Sequence, residues 1–220
     1  MTEDIITANY QSVLDDIAKT LKYINEPDKK VNLIAVSKTM AAERILPLLL
    51  AGHRLFGENR VQEAKEKWLP LKERFPNVEL HMIGPLQRNK VKDAVRIFDV
   101  IETVASLPLA EDLRNECEKQ GKNPRFFVQV NTGEEEQKSG LRPRELDSFL
   151  EQCPLAVSGL MCIPPIDEEP SVHFHMLAVM TKRHNLKHLS MGMSSDYREA
   201  VMLGADYIRV GSKIFGERHR

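Results

Sequence analysis

Short runs of apolar residues alternate with longer amphipathic stretches along most of this chain. Each run is followed by a stretch that predicts a helix or a short helical turn, and residues 3–24 carry apolar side chains near a helical period. The chain therefore opens with a predicted leading helix that ends by residue 26. Eight runs predict β-strands, at residues 33–36, 55–57, 79–82, 98–101, 126–130, 156–161, 187–190 and 207–210.

Repeated alternation of strands and helices predicts a parallel sheet with helices packed outside it. Eight repeats favour a closed barrel over an open doubly wound sheet, and 220 residues lie near the lower limit of roughly 200 for such a barrel. No Gly/Ser-rich or Pro-rich linker interrupts the chain. We therefore expect one domain over residues 1–220, an α/β fold that is a single TIM-like (β/α)8 barrel with an extra N-terminal helix at residues 1–26.

The alternation of side chains along the predicted strands indicates which residues face the barrel interior. Ile208 and Val210 share one face of the eighth run, so Arg209 lies on the other. If the aliphatic face meets the helices, Arg209 points inward, where a guanidinium is costly unless an anion or hydrogen-bond acceptor pairs with it. Lys38 shares a face with Val36. The two cations are therefore expected to converge at the barrel mouth.

Composition narrows the possible partners. The formal net charge of −1 gives no reason to expect a nucleic acid or an anionic membrane, and no apolar run approaches the roughly 20 residues that span a bilayer. The first residues lack the basic and apolar regions of a signal peptide. Three cysteines without a Cys-x-x-Cys pair favour a reducing compartment and no zinc site. We expect a cytoplasmic protein without a metal.

A lysine and two turns supply the candidate chemistry. Lys38 directly follows the first predicted strand and could form an imine with a carbonyl compound, although a solvated surface lysine is the simpler interpretation. Turns with glycine and serine follow the seventh and eighth strands, at residues 189–194 and 210–212, where barrels often bind phosphate. Each turn alone could merely cap a helix or end a strand. Together with Arg209 they favour phosphate, and with Lys38 they suggest pyridoxal phosphate or a phosphorylated sugar.

Motifs along nearly the whole chain carry a family resemblance. They are Ala35-Val-Ser-Lys-Thr39, Phe56-Gly-Glu-Asn59, His81-Met-Ile-Gly-Pro-Leu-Gln87, Gln137-Lys-Ser-Gly140, Leu189-Ser-Met-Gly-Met-Ser194 and Ile208-Arg-Val-Gly211. With them the chain resembles the pyridoxal phosphate homeostasis proteins, single-domain relatives of the N-terminal barrel of alanine racemase. The resemblance implies pyridoxal 5'-phosphate as cofactor, held as a Schiff base on Lys38.

The resemblance also implies the rest of the cofactor site. Phosphate contacts are expected from Ser194, Gly211 and Ser212, with backbone help from the turn between Ser190 and Met193. Arg209 is expected to approach the pyridine nitrogen, and Asn59, after the second strand, to lie near the cofactor. Position 212 is serine where the family often has threonine, which keeps the hydroxyl.

The function implied is intracellular storage or delivery of pyridoxal phosphate, with apo-enzymes as transient partners. A lone barrel with a polar surface composition suggests a monomer. Arg209 offers only hydrogen-bond donors, which favours an unprotonated ring nitrogen and limits carbanion chemistry. None of the four tyrosines is placed to act as a second acid/base group, so efficient racemisation is not expected. The alternatives are a pyridoxal phosphate-dependent racemase or lyase of unknown substrate and a Schiff-base aldolase that acts on a sugar phosphate.

Overall fold

The computed structural model describes residues 2–216, and in it eight parallel strands close into a barrel. Each strand pairs with the next along the chain, and the last pairs with the first. This confirms the predicted barrel and excludes the open sheet. The strands are β1 (Asn32–Val36), β2 (Leu55–Glu58), β3 (Glu79–Met82), β4 (Val100–Val104), β5 (Arg125–Val130), β6 (Val157–Cys162), β7 (His188–Ser190) and β8 (Tyr207–Val210).

Helices surround the barrel, and the predicted N-terminal helix is present. Short 3-10 helices at Arg88–Lys90 and Pro143–Glu145 lead directly into two of the α-helices. The α-helices are α1 (Thr2–Tyr23), α2 (Ala42–Leu50), α3 (Val61–Arg74), α4 (Val91–Ile97), α5 (Leu107–Gln120), α6 (Leu146–Gln152), α7 (Pro170–Arg183), α8 (Tyr197–Met202) and α9 (Ser212–Phe215).

Helix α1 covers the outside of the seam where β8 meets β1. Its buried residues Ile6, Val13, Ile17 and Leu21 follow a helical spacing and pack in the main apolar core. The helix contacts α2, α8 and α9, which flank the seam. The N-terminal helix therefore supports the region from which Lys38 and the turn after β8 emerge.

The main apolar core lies between the barrel and its helices, whereas the barrel interior mixes apolar and charged side chains. Ile208 belongs to the core outside the barrel and Ile34 to a separate inner cluster. Arg209 is 4% exposed and bonds inner residues, so the expectation that it points inward is confirmed.

The prediction for the fourth strand was wrong at its boundaries. The expected strand at 98–101 is observed at Val100–Val104. Phe98 instead ends α4 and packs in the outer core. The strand continues through Glu102 and Thr103, which are polar yet buried, and a hydropathy pattern does not mark such residues as strand.

Among residues 2–216, no helix has both the length and the apolar character needed to cross a membrane.

Candidate functional site

A cavity of about 510 Å³ opens at the carboxyl-terminal ends of the strands, on the side of the β8–β1 seam. Three of its lining residues are cationic, namely Lys38, Arg209 and Lys213, and none of the described ones carries a carboxylate. Such a cavity attracts an anionic ligand. It is lined by Val36, Lys38, Met40, Asn59, Ile83, Ile163, Met193, Ser194, Ser195, Arg209, Gly211, Ser212, Lys213 and Gly216.

Lys38 stands on a tight turn two residues beyond β1. The next residue, Thr39, has a φ of 64°, a left-handed conformation that is uncommon for a β-branched residue. Its N–H donates to Glu63 Oε1 over 2.5 Å, and the Met40 N–H donates to Ser37 O over 3.0 Å. The Lys38 backbone is thereby fixed at the edge of the cavity.

The turns after β7 and β8 join to form an anion cradle. The Gly211 N–H donates to Ser194 Oγ over 3.2 Å, so the Ser194 hydroxyl proton can be donated to a ligand. Ser212 and Lys213 are the first two residues of α9, so their backbone N–H groups have no partner within that helix. These N–H groups and two serine hydroxyls match the oxygens of a phosphate.

Two glycines let the loops of the site approach closely. Gly192, in the turn after β7, has a φ of 89°, and a Cβ there would lie 2.5 Å from Ala200 Cβ. A Cβ on Gly84 would lie 2.4 Å from Asn59 O. Each glycine therefore allows a mouth loop to pack against its neighbour, and Gly84 holds the loop that carries Asn59.

Asn59 contributes a polar atom that the protein itself does not satisfy. Its side-chain Oδ1 is buried and has no hydrogen-bond partner among the described residues, although Asn59 lines the cavity. Buried polar atoms are normally paired, so this one indicates a place for a ligand donor. The orphaned oxygen, the anion cradle and the lysine together fit a phosphorylated cofactor that carries a carbonyl group.

Arg209 reaches the floor of the cavity from inside the barrel. Its guanidinium donates to Ser190 Oγ over 2.6 Å and to Cys162 O over 2.7 Å. One nitrogen also lies 3.9 Å from Glu102 Oε2. The acceptors come from three other strands, so the guanidinium is oriented by the closed barrel.

A network of polar and charged side chains, most of them buried, extends from Arg209 into the barrel interior. Ser190 Oγ donates to Glu102 Oε2 over 2.5 Å, and Glu102 Oε1 lies 2.6 Å from His81 Nδ1. His81 Nε2 lies 2.9 Å from Glu79 Oε1. Burial opposes the charge on Glu102, but the hydrogen bond and charge of His81 hold the pKa of Glu102 below its usual range. Burial also disfavours His81⁺, yet the two carboxylates raise the pKa of His81 overall.

The structure brings seven of the eight predicted site residues together around the cavity. Ser190 is the eighth, and its hydroxyl faces Glu102 and Arg209 instead of lining the cavity. The seven are Lys38, Asn59, Met193, Ser194, Arg209, Gly211 and Ser212. Their contacts with a cofactor stay predictions.

Three charged residues near the site were not predicted from the sequence. Lys213 lines the cavity, and its Nζ lies 4.8 Å from the centroid of the Tyr197 ring. Its position next to the serine of a phosphate turn was a usable signal. Glu102 and His81 gave no such signal, because a charged residue within a strand usually faces solvent.

Comparison with known proteins decides the family. A sequence model of the alanine racemase N-terminal domain matches residues 12–219. The pyridoxal phosphate homeostasis protein of Pasteurella multocida is 33% identical, with 97% of each chain covered. That of Aquifex aeolicus is 35% identical, with 94% of this chain and 95% of the relative covered. The chain belongs to the family of pyridoxal phosphate homeostasis proteins. The resemblance carried by its motifs is therefore confirmed.

Solved structures of relatives have the same fold. PipY of Synechococcus elongatus PCC7942, solved without and with pyridoxal phosphate, is 36% identical to this family member, with TM-scores of 0.78 and 0.75. Those matches cover 91% of this chain and 100% of PipY. A protein from Bifidobacterium adolescentis is 28% identical, with a TM-score of 0.91 and 97% and 96% of the two chains covered. Alanine racemase of Clostridium difficile, 16% identical with a TM-score of 0.71, shares the fold over 98% of this chain and 57% of its own.

Proposed function

We propose that this protein binds pyridoxal 5'-phosphate, holds it as a Schiff base on Lys38, and acts in storage or delivery of the cofactor. The proposal rests on one cavity in which Lys38, Arg209 and Lys213 surround the anion cradle. None of the described lining residues carries a carboxylate. The names of the relatives and the PipY structure with pyridoxal phosphate bound support the same ligand.

The residues of the cavity divide the work of holding the cofactor. Bound pyridoxal phosphate supplies an aldehyde that reacts reversibly with amines. Lys38 Nζ would supply the amine that holds the aldehyde as a Schiff base, a linkage that forms with loss of one water. The hydroxyls of Ser194 and Ser212 and the backbone N–H groups of Ser212 and Lys213 hold the phosphate, and the Gly211 N–H orients the Ser194 hydroxyl. Asn59 offers its orphaned oxygen to a donor on the ligand.

Arg209 supports holding over catalysis. A guanidinium only donates hydrogen bonds, so beside the ring nitrogen it favours the unprotonated ring, which is a weak electron sink. A racemase also needs a second acid/base group across the substrate carbon. None of the described residues that line the cavity is a tyrosine. Tyr197 instead donates to Asp16 Oδ2 over 2.8 Å, and burial together with this bond raises its pKa to about 12.

Delivery requires that another amine can displace Lys38. In our proposal the protein works as a monomer in the cytoplasm and gives the cofactor to apo-enzymes in transient encounters. Three free thiols, Cys117, Cys153 and Cys162, support a reducing compartment. A racemase or lyase remains the alternative, and it predicts exchange of the α-proton of an amino acid for deuterium, which the holding function does not.

Transfer from the loaded protein tests the proposed function. We expect an apo-enzyme that requires pyridoxal phosphate to regain activity faster with the loaded protein than with the cofactor released spontaneously from it. The release rate is measured separately, with a scavenging amine in place of the apo-enzyme. Equal rates would contradict delivery and leave storage, and a protein that binds no pyridoxal phosphate would contradict both.

A further inference from the structure

The turn that carries Lys38 adopts a costly conformation that its own sequence does not favour. Thr39 is exposed, β-branched and left-handed, with a φ of 64°. Such a conformation is strained and persists only where its surroundings hold it. The contacts that hold the turn lie outside the barrel, on helix α3.

Lys67 is the centre of these contacts. Its Nζ donates to Ser37 O over 2.8 Å, to Glu58 Oε1 over 2.9 Å and to Glu63 Oε1 over 2.8 Å. An ammonium has three N–H donors, so all of them are used. The side chain is only 8% exposed, which leaves the bonds little screened by water.

The Glu63 carboxylate links Lys67 to the other side of the turn. Glu63 Oε1 accepts both the Lys67 ammonium and the Thr39 N–H. Lys67 also binds the carbonyl of Ser37 directly. The backbone is therefore held immediately before and immediately after Lys38.

Burial of the Glu58 carboxylate in this cluster has a free-energy cost, because burial disfavours its charged form. The carboxylate is fully buried, and its Oε1 accepts from Ser37 Oγ over 2.7 Å and from Trp68 Nε1 over 2.9 Å besides Lys67. Its Oε2 has no partner in the described chain. Burial raises the pKa of Glu58, although Lys67 opposes the shift. Buried ion pairs seldom add net stability compared with apolar packing, so a role in placing the turn explains the cluster better.

We propose that Lys67 is a positioning residue for Lys38: through Ser37 O and Glu63 it fixes the turn so that Lys38 Nζ meets the carbonyl carbon of the cofactor. The inference rests on the proposed function. Lys67 should affect only the reaction of Lys38 with the cofactor and not phosphate binding. None of the Lys67 hydrogen bonds reaches Ser194, Gly211 or Ser212.

Two ligands separate positioning from general structural support. Pyridoxal phosphate binds both the cradle and Lys38, whereas pyridoxine 5'-phosphate has an alcohol in place of the aldehyde and can use only the cradle. In Lys67→Met we expect imine formation, followed by visible absorbance, to slow about tenfold or more, because small misplacements of reacting groups cost up to about a hundredfold. The Kd for pyridoxine 5'-phosphate should change less than about twofold.

Lys65→Met is the matched control, because Lys65 lies on the same helix in a half-exposed pair with Asp93 at 3.0 Å. It should behave as the wild type with both ligands.

If Lys67→Met does not fold, Glu63→Gln removes the carboxylate that accepts the Thr39 N–H and should give the same selective slowing. Equal losses with both ligands, or no slowing, would overturn the inference. If the wild type itself forms no imine on Lys38, the proposed function is what fails.

Discussion

At the scale of single residues, Ser194 joins the two turns of the anion cradle. Its oxygen accepts the Gly211 N–H, which leaves its proton directed elsewhere. A Cβ on Gly211 would lie 3.3 Å from Val36 O, a tight contact with the end of β1. A larger residue there would push apart the two strands that carry Lys38 and the cradle.

Replacement of Ser194 tests the cradle. In Ser194→Ala we expect the affinity for pyridoxal phosphate to fall about tenfold or more, since a hydrogen bond to a charged group contributes about 1.5–3 kcal/mol. Pyridoxal, which lacks the phosphate, is the matched ligand, and its affinity should be nearly unchanged. Equilibrium titrations of both ligands measure this. A similar loss for the two would show that Ser194 does not bind the phosphate.

Residues at the mouth could be predicted where a strand end and a turn lie together in the sequence. Lys38, Ser194 and Ser212 each follow a strand by two to four residues, and side-chain alternation placed Arg209. The partners of Arg209 could not be predicted in this way. Glu102 and Cys162 come from distant strands, and only the closed barrel brings them together.

At the scale of elements, four strands share one buried charge network. Side chains from β3, β4, β7 and β8 connect His81, Glu102, Ser190 and Arg209. Since Glu102 lies fully buried between two basic groups, removal of its charge takes the carboxylate away from Arg209 and leaves His81 with Glu79 alone.

We therefore expect Glu102→Gln to lower the free energy of unfolding of the cofactor-free protein by about 3–5 kcal/mol near neutral pH. The folded-state pKa of Glu102 is depressed, so its contribution is present above the usual value of 4.5 and is lost as pH falls through the folded value. The pKa of His81 is raised, so its contribution is lost as pH rises through that value.

Urea unfolding of wild type and variant between pH 3 and 8 measures the difference. It should be largest where Glu102 is ionised and His81 protonated, and should shrink toward the acid end. Glu79→Gln is the matched control, because this partly exposed carboxylate also bonds His81 but does not touch Arg209. Equal stability of Glu102→Gln and wild type would contradict a structural role for the network.

Elements with a clear apolar run were predicted closely, as β1 and β5 show. Strand β4 was displaced because its second half is polar and buried. Sequence periodicity reports the contrast between core and solvent, and that contrast vanishes inside a barrel lined with charges. Because Glu102 and Thr103 are polar yet buried, hydropathy predicted neither the correct bounds of β4 nor the charge network to which Glu102 belongs.

At the scale of the whole molecule, barrel closure assembles the site from the two ends of the chain. Strands β1 and β8 pair in parallel, with Ile34 beside Arg209 and Ala35 beside Val210. The turn with Lys38 thereby lies next to the turn with Ser212. Helix α1 packs on α2, α8 and α9 and supports this seam from outside.

Borohydride reduction of the loaded protein, followed by peptide mapping, tests whether Lys38 anchors the cofactor. We expect the visible band of the loaded protein to disappear and the reduced pyridoxyl group to be found on Lys38. Lys38→Ala should show neither band nor label, and Lys213→Ala, which removes the other lysine of the cavity, should keep the label on Lys38. A label on Lys213 or another lysine, or a loaded protein that acquires none, would contradict the account.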